Sequence, residues 1–92
     1  MKFEWNQSKA VSNLKKHGVS FEEAKTVFDN PLAVIFDDEA HSVDEQREII
    51  IGHSRQNRLL LIAFTARSGN VRIISARLAT RNEREDYEQN AL

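Results

Sequence analysis

Ninety-two residues, 40% of them hydrophobic and 29% charged, describe one soluble globular domain spanning residues 1–92 rather than a disordered chain or two domains. The absence of cysteine excludes disulfides and thiolate metal sites. No apolar run nears the ~18 residues of a membrane span, and the opening MKFEWNQSKA lacks a signal-peptide core, so no membrane contact and a cytoplasmic location are expected.

The formal net charge of −1 conceals a segregation. Residues 49–82 hold no acid but six arginines (Arg55, Arg58, Arg67, Arg72, Arg77 and Arg81), so the other 58 residues carry −7. Local charge governs binding when the Debye length is about 8 Å, and this distribution points to an anionic partner such as RNA.

In chain order, Asn6 is placed to cap a helix over Gln7–His17, with Ala10, Val11 and Leu14 on its inner face. Lys15, Lys16 and His17 suit the negative end of its dipole, and Gly18 stops it. Ser20 and Glu23 form a capping box that opens a second helix, ended by Asp29-Asn30-Pro31. The pattern then turns to β. Strands are expected at LAVIF (32–36), REIIIGHS (47–54), RLLLIAFT (58–65) and VRIISAR (71–77), with an acidic loop, DDEAHSVDE, after the first. The turn RSGN needs Gly69 for a positive φ. Thr80 and Glu83 make a second capping box, opening a last helix over Arg81–Gln89. The expected fold class is α+β in the order ααββββα: an N-terminal helical hairpin, a four-stranded, largely antiparallel sheet and a C-terminal helix.

Register follows from the turns. Pairing Ser54 with Arg58 sets His53 beside Leu59, and pairing Thr65 with Val71 sets Leu59 beside Arg77. Arg72 and Arg77 then project from opposite faces, and Arg67 and Arg77 lie at opposite strand ends. Both faces come out apolar: Ile49, Ile51, Leu61, Val71 and Ile73 on one, Ile50, Leu60, Ile62, Phe64 and Ile74 on the other. Either the three helices wrap both faces, or one is left as a partner surface.

No glycine-rich phosphate loop, nucleophile elbow or HExxH motif occurs, and His17, His41 and His53 lack metal-ligand spacing, so neither metal nor cofactor is expected. The arginines are the one chemical signal. A guanidinium binds phosphate through a planar fork and keeps its charge, which suits both RNA gripping and transition-state stabilisation. Any single arginine is equally explained by solvation or by pairing with Glu83, Glu85 or Asp86. Trp5 and Tyr87 fit either base stacking or helix packing.

The blocks FEWN--K---N--KHGVSFEEA--VF, I-IG, FTAR (64–67) and RIISAR-AT--ER--YE resemble the BrnT family over nearly the whole chain. These are small ribonuclease toxins of bacterial type II toxin–antitoxin systems, similar in fold to the RelE group. The resemblance implies a metal-independent endoribonuclease that cleaves RNA by 2′-OH attack and suppresses translation. It also implies a BrnA-like, ribbon-helix-helix antitoxin, whose complex with the toxin engages operator DNA. On the matching positions, Arg67 and Arg77 are expected as charge stabilisers, with Lys16, His17, Arg72, Arg81 and Arg84 holding the RNA. The alternative is a non-catalytic RNA- or protein-binding module neutralised by such a partner.

Overall fold

A computed structural model describes residues 1–38 and 46–90 of the chain; residues 39–45 of the expected acidic loop, His41 among them, lie outside these, and Asp37 belongs to a strand. The elements are β1 (Lys2–Glu4), α1 (Gln7–His17), α2 (Phe21–Thr26) with a 3₁₀ turn (Val27–Asp29), β2 (Val34–Asp37), β3 (Glu48–His53), β4 (Leu59–Arg67), β5 (Asn70–Leu78) and α3 (Arg81–Asn90). They form an α+β fold whose five-stranded sheet has the order β1-β5-β4-β3-β2. The four expected strands pair antiparallel, but the fifth, β1, runs parallel to β5 through Phe3–Val71 and its neighbours. The expected four-stranded sheet is therefore corrected to a mixed one. Three residues ahead of a helix cap carry too little periodicity to read as a strand, and a parallel pairing between chain ends leaves no turn signature.

Local signals form the helices as their caps dictate. Asn6 Oδ1 accepts from the Lys9 amide at 3.0 Å, Ser20 Oγ from the Glu23 amide at 3.0 Å and Thr80 Oγ1 from the Glu83 amide at 3.2 Å. Gly18 ends α1 in the left-handed region, φ 69°. In the β4–β5 hairpin, Ser68 (φ 53°) and Gly69 (φ 81°) make the two-residue turn between the paired Arg67 and Asn70.

Register is where expectation and structure part. His53 does pair with Leu59. In the next ladder, however, Leu61 faces Arg77 and Thr65 faces Arg72, with a shift at Ala63/Phe64 that leaves Ile74 as an extra residue in β5. This bulge turns Val71 and Ile73 onto the face of Ile50, Leu60, Ile62 and Phe64, where they join the main core with Val19, Phe21, Ala24 and Val27. It also puts Arg72 and Arg77 on the same face, not on opposite ones.

The opposite face is covered less completely. Tyr87 of α3 packs on Ile51 and Leu59 as a small second cluster, and its hydroxyl donates to the Leu32 carbonyl at 2.9 Å. Trp5 stacks edge-on to Phe21 at 5.9 Å, so both large aromatics in question are packing residues. Among the described residues no helix is long and apolar enough to cross a membrane.

Candidate functional site

β1 covers only Asn70–Arg72 of β5, so the outer edge of β5 would be bare from Ile73 onward. The Asn13 side chain takes the place of the missing strand. Its amide donates to the Ala76 carbonyl at 2.8 Å and accepts from the Ala76 N–H at 3.1 Å, while also donating to the Val19 carbonyl at 2.9 Å. This buried clamp sets the rotation of α1. Ala10, Asn13 and His17 turn inward, while Val11 and Leu14, expected inside, are about half exposed.

The clamp and the bulge open a groove of about 210 Å³ between α1 and β5, lined by Lys9, Asn13, Lys16, His17, Ile74 and Ser75. A second, more polar cleft of about 420 Å³ is lined by Glu4, Lys9, Thr65, Arg67, Asn70 and Arg72. Lys9 belongs to both, so the two adjoin. Four of the expected site residues, Lys16, His17, Arg67 and Arg72, thus gather at one end of the molecule. The Arg72 side chain makes no hydrogen bond or ion pair among the described residues.

The remaining three lie elsewhere. Arg77 pairs with Leu61, six residues along β4 from Arg67, which is ~20 Å at strand rise. Both its terminal nitrogens grip Glu83, at 2.8 and 2.9 Å, and one also reaches the Leu78 carbonyl at 3.2 Å. That hydrogen-bonded pair, helped by the Thr80 backbone and opposed by burial, lowers the Glu83 carboxyl to about 2 and raises Arg77 further. Arg81 is almost fully exposed and pairs with Glu85 at 3.2 Å; Arg84 is exposed on the same helix.

Arg58, part of the acid-free segment, is structural. Its guanidinium binds Glu23 and donates to the Gly18 carbonyl at 3.0 Å, and Glu23 also accepts from Ser54 Oγ at 2.7 Å. The Arg58 hydrogen bond holds the buried Glu23 carboxyl below its usual range, with burial opposing and Ser54 assisting. The basic stripe of the sequence is therefore not one surface: Arg58, Arg77 and Arg81 are matched by acids from distant segments or the next turn.

Sequence reasoning missed Lys9, Asn13 and Thr65. Lys9 and Asn13 do stand in the FEWN--K---N--KHG block, but periodicity alone treats them as a solvated lysine and an ordinary helix asparagine.

A small α+β domain with a cationic groove beside an open sheet edge is suited to holding a polyanion. The family model described as ribonuclease toxin, BrnT, of type II toxin-antitoxin system matches residues 5–83, and the chain belongs to that family. It is similar to the crystal structure of the Brucella abortus ribonuclease toxin, BrnT, with a TM-score of 0.68 and 25% identity over 88% of this chain and 99% of that one. No curated protein matches the chain. The family resemblance carried by the sequence blocks is thereby borne out. Membership of a type II toxin–antitoxin family also implies a cognate antitoxin.

Proposed function

We propose that the chain is a cytoplasmic, metal-independent endoribonuclease that suppresses translation by cutting RNA, and that the α1–β5 end is its substrate site. One observation carries this reading: two adjoining clefts joined at Lys9 bring Lys16, His17, Arg67 and Arg72 together. The reaction is in-line attack of a ribose 2′-OH on the neighbouring phosphorus, which breaks the P–O5′ bond and leaves a 2′,3′-cyclic phosphate and a 5′-OH. The protein must align the phosphate, neutralise charge on its oxygens and move one proton off the 2′-OH and one onto the leaving oxygen.

Cationic donors supply the neutralisation. Arg67 is the principal charge stabiliser, with Lys9, Lys16 and Arg72 holding flanking phosphates. His17 lines the groove and carries an imidazole, which can both accept and donate a proton. Arg77 acts at the other strand end, with its charge already shared with Glu83, and anchors α3 as much as it stabilises substrate. Arg81 and Arg84 extend the RNA contact outward along the start of α3. A BrnA-like ribbon-helix-helix antitoxin would neutralise the toxin and carry the complex to operator DNA.

The test is RNA cleavage by the purified chain in EDTA. Persistent cleavage giving cyclic-phosphate ends, lost in Arg67→Ala with the fold intact by circular dichroism, supports the reading. Salt-sensitive RNA binding without cleavage would identify a binding module instead.

A further inference from the structure

The edge of the sheet farthest from the groove has a different chemistry. Among the described residues β2 is an outer strand that pairs only with β3, so one side of its backbone has no strand partner there. Protein edges are ordinarily blunted by lysine, proline or a bulge in mid-strand. Here three of the strand's four residues are the apolar Val34, Ile35 and Phe36, exposed to 39%, 52% and 46%. Beside it, where α3 fails to cover the sheet, lies a pocket of about 350 Å³. Val34, Phe36, Ile51 and Leu61 form its apolar wall and floor, Tyr87 closes one side, and Asp86 stands at the rim.

We infer that the β2 edge and this pocket are the anchor site for the antitoxin. The site takes an extended antitoxin segment that adds a strand to β2, sets a large apolar side chain between Phe36 and Tyr87, and places a lysine or arginine against Asp86.

Three features fit that occupant and disfavour RNA. The unpaired edge binds peptide backbone, which a nucleic acid lacks. The pocket is apolar and of a size for a bulky side chain. Its rim charge repels phosphate: Glu83 is matched by Arg77, while the Asp86 carboxylate has no cation paired to it among the described residues. Asp37, at the end of β2, accepts from the neutral Gln46 side chain at 3.3 Å and adds to the same sign. The β2 edge also lies three strand spacings, ~14 Å, from β5, so it is separate from the groove. The inference rests on family membership for the existence of an antitoxin, and not on the assignment of the groove.

The experiment uses the full chain and the antitoxin encoded beside it. Titration is followed by calorimetry, and hydrogen exchange is compared between the free chain and the complex. Phe36→Asp is expected to weaken the complex about a hundredfold, and Asp86→Lys up to about tenfold. Both positions are solvent-exposed, so the fold is retained, and RNA cleavage by the free variants stays at the wild-type level. Amides of residues 33–38 are expected to gain protection in the complex. Unchanged affinity in Phe36→Asp, protection confined to the α1–β5 groove, or no complex at all would overturn the inference. So would a concentration-dependent homodimer that Phe36→Asp splits, since the edge would then belong to a second copy. Loss of cleavage in Arg67→Ala bears on the groove alone, so the two readings fail separately.

Discussion

The two ends of the sheet are built from the same kind of strand but finished differently. At the β5 end, the open edge is closed from within by Asn13, and cations from α1, β4 and β5 surround the clefts that remain. At the β2 end no described residue pairs with the outer edge, and apolar side chains are exposed there with a carboxylate beside them. The first arrangement suits a phosphate backbone, whose recognition is electrostatic. The second suits a peptide, which brings its own hydrogen bonds and apolar surface. The contrast shows why counting arginines along the chain overstates the basic surface: what matters is where folding places each one and which acids it brings beside it.

The sharpest way to break this contrast is at the cationic clefts. Arg67→Ala should lower RNA cleavage by about a hundredfold or more while antitoxin affinity stays within twofold, measured by single-turnover assay and calorimetry. An equal loss of both would mean that the two ends are one site.

Asn13→Ala comes next. It leaves the Ala76 N–H and C=O and the Val19 carbonyl without their partner in a buried setting, so urea denaturation should show a loss of about 2–4 kcal/mol. Hydrogen exchange should place the loosening at α1 and β5 and leave β2 and β3 as they were.

Acid should act at the other end first. Glu83 titrates near 2 in the folded chain against 4.5 as its ordinary value, so the stability it gives is present above about 4.5 and lost as pH falls toward 2. With Arg77 partly exposed, solvent screening reduces this to on the order of 1–2 kcal/mol. Thermal melts across that window should flatten in Glu83→Gln. A flat wild-type profile would mean that the Arg77–Glu83 pair does not hold α3.

The smallest effect is expected at Arg81. Its side chain is almost wholly solvated, and its pairing with Glu85 is an exposed i,i+4 contact worth no more than ~0.5 kcal/mol. Arg81→Ala should change stability within that limit and RNA cleavage by less than threefold. A loss of tenfold or more would make Arg81 part of the cleavage chemistry rather than an outer RNA contact.

Much of the chain could be read before folding. Asn6, Ser20 and Thr80 cap helices through bonds that span three residues, and Ser68-Gly69 turns a hairpin, because these devices depend only on nearby atoms. Family membership was legible in the same way, through blocks of neighbouring letters. The candidate site was half legible. Lys16, His17, Arg67 and Arg72 were named, but nothing local distinguished them from Arg77 and Arg81, or Lys9 from any surface lysine.

The amino-acid sequence by itself determined the helices, the hairpin turns, the segregation of charge and the family. The tertiary structure alone decided three things: the parallel β1–β5 pairing, the extra residue at Ile74 that reassigns the faces of β5, and the capture of Arg58 and Arg77 by Glu23 and Glu83. Each depends on partners far apart in the chain or on a one-residue shift in strand pairing. A single slip reverses every side chain beyond it, so local rules that name the residues cannot say which way they face.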